Sequence, residues 1–330
     1  MTLFYAITSV IVGFIAVVWG ADRFVHGAAG LASNLGLSRL VIGLTIVAFG
    51  TSAPEMLVSG MAAAAGSREM GIGNAIGSNI TNATLVLGAA AFAQPLSVHS
   101  RLLIREIPVL FLIMGLAWAF LWDGELSRVE GFVLFAGMFA LIVWISLQGR
   151  EERSRDISDP ALAFEDDQIP SSLPTPRAVA VLSVGLLVLL AGSRVLVWGA
   201  VGIARDLGVS ELVVGLTLVA LGTSLPELAA SVAAARRGEP DIAVGNVVGS
   251  NMFNLLGVLG LPGIIAPGEV DRSVIFRDFP IMVGATLLLL LMAVNERSHI
   301  GRKRGAALIL VFVLYFVMLF WNPSLPHMPS

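Results

Sequence analysis

The chain contains no cysteine, only four histidines and few charged residues, which make up 13% of its 330 residues. Without cysteine it can form neither a disulfide framework nor a thiolate metal site, and the scattered histidines (His26, His99, His299 and His327) do not have ligand spacing. Soluble domains have about a quarter of their residues charged. Here 56% of residues are hydrophobic and the mean hydropathy is +0.88. The composition therefore predicts an integral membrane protein and disfavours soft-metal and redox chemistry.

Ten apolar stretches have the length that crosses a bilayer as a helix, which is roughly 17 to 25 residues. They centre near residues 11, 52, 82, 112, 138, 188, 222, 252, 285 and 312. The first stretch is not typical of a signal peptide, because no Lys or Arg precedes Arg23 and no small-residue cleavage site follows it before that charge. We therefore expect an all-α membrane protein with about ten transmembrane helices.

Positive charge is divided unequally between the two sides of these spans. Fourteen Lys and Arg residues fall on one side and six on the other. Short cytoplasmic loops concentrate Lys and Arg. The distribution predicts a multi-pass protein of the cell inner (plasma) membrane with both termini outside the cytoplasm.

One long polar stretch, residues 149–177, is rich in charge and proline and lacks helical apolar periodicity. It predicts a flexible cytoplasmic linker. The linker divides the chain into two halves, residues 1–148 and residues 178–330, with five predicted spans each.

The two halves carry the same two motifs. The stretch GLTIVAFGTSAPE at 43–55 matches GLTLVALGTSLPE at 215–227 at ten of thirteen positions. The stretch GNAIGSNITN at 73–82 matches GNVVGSNMFN at 245–254 at six of ten, and both matches share an offset of 172 residues. Since five spans is an odd number, the second copy crosses the membrane in the opposite sense. Inverted repeats of this kind commonly surround a midplane substrate site made by interrupted helices, which favours a transporter that works by alternating access.

Each GTSxPE motif places a carboxylate within an apolar span, Glu55 in the first half and Glu227 in the second. A carboxylate there costs several kcal/mol unless it faces protein, water or a bound cation. Pro54 and Pro226 have no N–H, so the carbonyl four residues earlier in each motif loses its helical donor. We therefore expect proline-broken helices at the centre, with freed backbone oxygens beside the glutamates.

Neutral oxygens accompany the glutamates in both halves. Threonines lie four residues before each glutamate, and serine and asparagine share a helical face in each GNxxGSNxxN motif. These residues are Thr51, Thr223, Ser78, Asn82, Ser250 and Asn254. Carboxylate, carbonyl and hydroxyl ligands suit Ca²⁺, Na⁺ or Mg²⁺, and flexible coordination by many oxygens favours Ca²⁺. Because two close carboxylates repel each other, we expect protons to compete with the metal.

Some residues of the motifs have structural explanations. Four glycines have the small-xxx-small spacing that packs helices closely; they are Gly73, Gly77, Gly245 and Gly249. Asn79 and Asn251 lie on another face from the serines, and we expect them to bond backbone atoms. The structural alternative for the two glutamates is a protonated carboxyl hydrogen-bonded within the bundle.

With G-T-S-x-P-E and G-N-x-x-G-S-N-x-x-N in both halves, the chain resembles the cation/Ca²⁺ exchanger superfamily, and within it the prokaryotic sodium/calcium antiporters. The resemblance spans nearly the whole chain. It implies ten helices, a central group of ion sites and electrogenic exchange of several Na⁺ for one Ca²⁺. Position by position it implies shared carboxylates at Glu55 and Glu227, ligands at Thr51, Thr223, Ser78, Ser250 and Asn82, and backbone oxygens near Ala48 and Ala220. Some members carry Asp at the position of Asn254, so this chain resembles the K⁺-independent type more closely.

Other functions remain as alternatives. Proton/Ca²⁺ exchangers carry a GNxxE motif, whereas Gly77 and Gly249 occupy that position here. A cation channel could use the same oxygens without coupling, and an intramembrane aspartyl protease would need paired Asp residues in the spans. We expect a transporter rather than an enzyme, with Ca²⁺ and Na⁺ as substrates and no bound cofactor. The expected surroundings are the lipid bilayer, without nucleic acid or an obligatory protein partner, and the linker is too short for a regulatory domain.

Overall fold

The computed structural model describes residues 3–98, 102–158, 173–207, 220–294 and 299–321. The first half contains five helices: α1 (Leu3–Leu35), α2 (Arg39–Ala64), α3 (Arg68–Ala93), α4 (Ile104–Leu121) and α5 (Arg128–Ser158). The second half contains α6 (Thr175–Asp206), α7 (Ala220–Thr223), α8 (Leu225–Arg236), α9 (Pro240–Ile265), α10 (Val274–Val294) and α11 (Arg302–Trp321). The all-helical prediction is confirmed.

Eight helices within the described residues are long and apolar enough to cross a membrane. They are α1 to α6, α9 and α10. The seventh predicted span corresponds to α7 and α8 and to residues 208–219, which lie outside the described residues. The tenth corresponds to α11, which is 20 residues long. This arrangement agrees with the predicted ten-helix architecture.

The linker prediction differs from the structure at its beginning. Helix α5 continues to Ser158, past the predicted boundary at residue 149, because the Glu and Arg residues that follow are good helix formers. Residues 159–172 lie outside the described residues, so the remainder of the linker stays a prediction.

Several helices contain a π-helical turn, in which hydrogen bonds skip one extra residue. These turns are Gly43–Val47 in α2, Asn82–Val86 in α3 and Asn254–Val258 in α9; a further turn, Leu102–Glu106, leads into α4, and Val274–Asp278 begins α10. Two pairs of them are related by the repeat offset, so the two halves share irregular turns as well as motifs. Asn82 and Asn254 are the first residues of equivalent turns.

The proline motifs differ between the halves. Helix α2 continues through Pro54, and its irregular turn lies upstream at Gly43–Val47. In the second half the helix is interrupted at Ser224, between α7 and α8, and Pro226 lies in the first turn of α8. Proline is well tolerated in a first turn because the N–H there has no intrahelical partner.

Within the described residues, four short strands connect the two halves. Strand β1 (Leu96–Ser97) pairs antiparallel with β4 (His299–Ile300). Strand β2 (Glu125–Leu126) pairs antiparallel with β3 (Gly268–Glu269). Each pair joins one strand from each half, as expected for repeats that face each other.

Helices α1 and α6 pack through glycines that recur every seven residues: Gly13, Gly20 and Gly27 on α1, and Gly185, Gly192 and Gly199 on α6. A Cβ atom at Gly20 would lie 2.6 Å from the backbone nitrogen of Leu189, and one at Gly185 would lie 2.7 Å from Cα of Phe24. Larger side chains would therefore separate the two backbones. The pair is held by close packing of small residues, as in many membrane helices.

Helix α9 forms the centre of the bundle, since residues 242–260 are all buried. Its glycines pack against α2: a Cβ at Gly245 would lie 3.0 Å from the carbonyl oxygen of Leu40, and one at Gly249 would lie 2.6 Å from that of Leu44. The predicted packing role is confirmed for these two glycines. For Gly73 and Gly77 it stays a prediction, because the positions that correspond to Leu40 and Leu44 by the repeat offset, 212 and 216, lie outside the described residues.

Candidate cation site

The two motif glutamates lie at the centre of the fold, Glu55 on α2 and Glu227 on α8, and both are fully buried. Oγ of Ser52, three residues before Glu55 on α2, lies 3.5 Å from Oε1 of Glu227, so the two glutamate-bearing segments meet at this point. Within the described residues, both carboxylate oxygens of Glu55 and Oε2 of Glu227 have no hydrogen-bond partner. Burying a charge without a partner is costly. The arrangement is therefore incomplete without a cation or a proton between the two helices.

Thr51 joins the two halves at one side of the glutamates. Its hydroxyl lies 3.0 Å from Oδ1 of Asn246 and 3.5 Å from Oγ of Ser250. The backbone oxygen of Ala48 lies 3.3 Å from the Thr51 hydroxyl and 3.5 Å from that of Ser250. The structure thus brings together three of the predicted ligands, Ala48, Thr51 and Ser250, from α2 and α9.

Ser52 and Ser224 are buried serines that the sequence analysis did not include in the site. Oγ of Ser52 lies 3.5 Å from Oε1 of Glu227, so the first half supplies a hydroxyl to the carboxylate of the second. Both serines are the third residue of GTSxPE, and their repetition was a signal that could have identified them. The contact depends on how two distant helices meet, which the spacing within one motif does not reveal.

Asn82 and Asn254 are buried, and both side-chain polar atoms of each residue lack a hydrogen-bond partner among the described residues. A buried amide normally has its donors and acceptor paired. Their position at the first residue of equivalent π turns holds the two amides at related places in α3 and α9. These unpaired amides, like the glutamates, leave oxygen ligands available.

Asn74 and Asn246 are further residues that the sequence analysis missed, although both stand in the repeated GN dipeptide. Nδ2 of Asn74 donates to the backbone oxygen of Glu55 at 3.3 Å, and Nδ2 of Asn246 donates to that of Glu227 at 3.3 Å. Each asparagine therefore connects its own helix, α3 or α9, to the helical turn of the preceding helix that carries the glutamate.

The remaining predicted ligands are placed less completely. Ser78 is buried on α3 and Thr223 is half-buried at the end of α7. Ala220 is the first residue of α7, and its side chain lies outside the described part of the chain. Asn79 donates from Nδ2 to the backbone oxygen of Asn251 at 3.2 Å, as expected for an asparagine that bonds backbone.

The site is tightly packed on the side of α2 and α9. On this side, Gly249 touches the backbone of Leu44, and Arg39 forms a 2.9 Å ion pair with Glu239 between the beginnings of the two helices.

The chemistry of the site is that of oxygen ligands to a hard cation. No group of three or more His, Cys, Asp or Glu side chains that could hold a metal occurs within the described residues. The oxygens gathered here belong instead to two carboxylates, hydroxyls, amides and backbone carbonyls, a set that suits Ca²⁺ and Na⁺ better than zinc or copper.

Comparisons with known proteins agree with this chemistry. The family described as "Sodium/calcium exchanger protein" matches residues 5–148 and 177–321, one segment in each half. The inner membrane protein YrbG of Escherichia coli is 39% identical over 94% of this chain and 95% of its own length. The sodium/calcium exchanger MaX1 of Methanosarcina acetivorans is 33% identical over 94% of this chain and 97% of its own length.

A solved structure of the sodium-calcium exchanger NCX_Mj, soaked without Na⁺ and Ca²⁺, has the same fold. It superposes with a TM-score of 0.82 at 32% identity and covers 96% of this chain and 100% of its own. The likeness therefore extends over both halves of the molecule and includes the helices that carry the buried glutamates.

Proposed function

The chain belongs to the sodium/calcium exchanger family, and from this premise we propose that it is a secondary active antiporter that exchanges Na⁺ for Ca²⁺ by alternating access. The family consists of exchangers, which are transporters rather than enzymes. The name of the relative MaX1 and that of the structural neighbour NCX_Mj, both sodium/calcium exchangers, support these two substrates.

One observation carries the proposal: two buried carboxylates from opposite halves have oxygens without hydrogen-bond partners among the described residues. Ca²⁺ takes six to eight oxygen ligands in flexible geometry. Glu55 and Glu227 together supply two negative charges, which match one divalent cation. The surrounding hydroxyls and backbone oxygens complete the coordination without adding charge.

The remaining ligands divide into three groups in this proposal. Ala48, Thr51 and Ser250 form one flanking site for Na⁺, and the hydrogen bonds among them support that grouping. The resemblance of the repeats assigns the equivalent residues, Ala220, Thr223 and Ser78, to the opposite flank. Asn82 and Asn254 then lie between the flanks, beside the glutamates.

Coupling follows from the charge of the empty site. Two buried carboxylates without a positive charge beside them are strongly unfavourable in a low-dielectric interior, so the helices change packing only when cations fill the site. Na⁺ and Ca²⁺ need the same two carboxylates and therefore replace each other. Net exchange results, since neither repeat moves unloaded.

Two motif positions favour Na⁺ over H⁺ or K⁺ as the coupled ion, because each lacks an acidic residue that other branches of the superfamily carry. Proton/Ca²⁺ exchange is the second candidate, but Gly249 packs against Leu44 where that branch has a glutamate, and a larger side chain would not fit there in this structure. Asn254 is neutral, which leaves two carboxylates in the site and favours a K⁺-independent exchanger.

The protein is a multi-pass membrane protein. We propose that it resides in the cell inner (plasma) membrane with both termini outside the cytoplasm, as the charge distribution favours. In this orientation the tightly packed ends of α2 and α9 face the cytoplasm. Ca²⁺ and Na⁺ are substrates, and the proposal requires neither a cofactor nor a protein partner.

Flux through purified protein in liposomes tests the proposal. Vesicles loaded with Na⁺ and diluted into Na⁺-free medium should take up ⁴⁵Ca²⁺, and uptake should stop when choline replaces internal Na⁺. Uptake driven equally by a proton gradient would assign the chain to proton/Ca²⁺ exchange. Uptake that needs no opposing ion would indicate a channel.

A further inference from the structure

We infer that Asn246 is a positioning residue that joins the two glutamate-bearing segments, whereas the side-chain bonds of its counterpart Asn74, among the described residues, go to the Glu55 segment alone. The inference rests on the proposed function, since it assigns a role within the same cation site. It concerns residues outside the predicted ligand set.

The two asparagines share one set of bonds. Nδ2 of Asn74 donates to the backbone oxygen of Glu55 and, at 3.0 Å, to Oγ of Ser59. Nδ2 of Asn246 donates in the same way to the backbone oxygen of Glu227 and, at 2.9 Å, to Oγ of Ser231. Each asparagine therefore fixes the direction in which its own glutamate leaves the helix.

Asn246 makes an additional bond across the repeats. Its Oδ1 accepts from the hydroxyl of Thr51 at 3.0 Å, so the two ends of one amide hold α2 and α8 together. Asn246 is fully buried, whereas Asn74 is half-buried. The amide of Asn246 thus links GTSAPE in the first half with GTSLPE in the second.

This bond determines where the Thr51 proton points. The hydroxyl has three close acceptors: Oδ1 of Asn246 at 3.0 Å, the backbone oxygen of Val47 at 3.1 Å and that of Ala48 at 3.3 Å. A hydroxyl donates one proton. When Asn246 takes it, the oxygen of Ala48 keeps its lone pairs for a cation, and the Thr51 oxygen turns its own lone pairs towards the site.

Without Asn246, the Thr51 hydroxyl would return to the carbonyls of its own helix, as threonines in membrane helices commonly do. Ala48 would then be a poorer ligand, although Thr51 itself would remain hydrogen-bonded. The loss should fall mainly on the Na⁺ bound beside Ala48 and less on Ca²⁺, whose coordination is shared by both glutamates.

A double-mutant cycle tests the inference. ⁴⁵Ca²⁺ binding to purified protein, and its displacement by Na⁺, would be measured for wild type, Asn246→Ala, Thr51→Val and the double variant, with the same cycle for Asn74→Ala. In the otherwise wild-type protein, Asn246→Ala should weaken the displacement of ⁴⁵Ca²⁺ by Na⁺ about five-fold, which corresponds to about 1 kcal/mol. In the Thr51→Val background it should have little further effect. Asn74→Ala should have the same effect in both backgrounds.

The inference would be overturned if the effect of Asn246→Ala simply added to that of Thr51→Val, as the effect of Asn74→Ala is expected to do. In that case Asn246→Ala would cause the same loss of Na⁺ displacement with and without the Thr51 hydroxyl. If Asn246→Ala does not fold, Asn246→Leu replaces it, because leucine has nearly the shape of asparagine but lacks the accepting oxygen, and it should likewise lose the coupling with Thr51. Thr51→Ser keeps the donor and should behave as wild type in the cycle. Because binding is measured without an ion gradient, this test does not depend on transport. A protein that binds as predicted but shows no Na⁺-driven flux would contradict the proposed function and leave the role of Asn246 standing.

Discussion

Replacing Gly249 by alanine should disrupt the cation site by separating α2 from α9 beside it. The added Cβ would lie 2.6 Å from the carbonyl oxygen of Leu44 and 2.7 Å from Cβ of Ala48. Ordinary van der Waals contact begins at 3.4 Å, so α2 and α9 would have to separate by about 0.8 Å at this point. Coordination distances tolerate changes of about 0.2 Å. The backbone oxygen of Ala48 should therefore be lost as a ligand.

The expected loss of affinity equals the cost of bringing the Ala48 oxygen back to the cation against the overpacked contact, which is about 1 to 3 kcal/mol. That range corresponds to a loss of Na⁺ affinity between about five-fold and about 150-fold. Displacement of ⁴⁵Ca²⁺ by Na⁺ in purified protein measures it directly. Gly60→Ala is the matched control, because its Cβ would meet Leu261 and Ile265 at 3.7 and 3.8 Å, which are ordinary contacts.

The reasoning would be refuted if Gly249→Ala bound Na⁺ with wild-type affinity while remaining folded. It would also be refuted if Gly60→Ala lost affinity to the same extent, since the effect would then belong to alanine in the bundle rather than to the contact with α2. Retention by Gly60→Ala and loss by Gly249→Ala is the predicted result.

Three further substitutions test separate parts of the structure. Ser52→Ala should weaken ⁴⁵Ca²⁺ binding several-fold, because it removes the hydroxyl beside Glu227. Hydrogen bonds to charged groups contribute about 1.5 to 3 kcal/mol, and the length of this contact places its effect at the lower end. Ser146→Ala, which loses an exposed hydroxyl, should bind as wild type, and equal effects of the two variants would contradict the assignment. Gly185→Ala should lower the melting temperature in detergent because its Cβ would meet the backbone of Phe24, whereas Gly115→Ala, with no described atom within 4 Å, should not; equal melting temperatures would disprove the close packing of α1 and α6. Arg39→Gln should change Ca²⁺ affinity by less than about five-fold. Partly exposed ion pairs such as Arg39–Glu239 contribute about 0 to 1 kcal/mol. A larger loss of affinity would contradict this and show that the pair holds the site closed.

The repeated motifs predicted the centre of the candidate site because two carboxylates are unusual in a membrane interior. Glu55 and Glu227 are conspicuous in apolar spans, and the structure buries both. Thr51 and Ser250 were predicted from helical spacing, and the structure brings them to within 3.5 Å of each other. A rare residue type in a repeated context was therefore a sufficient signal.

Residues that act across helices were harder to predict. Ser52 and Asn246 stand in the same motifs, but their roles depend on contacts with residues more than 170 positions away in the sequence. The spacing within one motif places a side chain on a helix face and does not identify what that face meets. The repeat offset related the two halves without giving the distance between them.

Local helix irregularity was also only partly predictable. Proline indicated a break in both halves, yet α2 continues through Pro54 and carries its irregular turn at Gly43–Val47. The π turns that begin at Asn82 and Asn254 have no comparable marker in the sequence. The glycines spaced by seven residues in α1 and α6 were visible, but their role required knowing that the two helices are neighbours.

The most direct test of the central claim, that Na⁺ and Ca²⁺ share the two buried glutamates, is Na⁺-driven ⁴⁵Ca²⁺ uptake by liposomes that contain Glu55→Gln or Glu227→Gln. Glu69→Gln, which changes an exposed carboxylate at the beginning of α3, is the control. We predict that both site variants abolish uptake and also lose Na⁺ displacement of bound ⁴⁵Ca²⁺, while the control transports as wild type. Sustained Na⁺-driven uptake in either site variant would contradict the account.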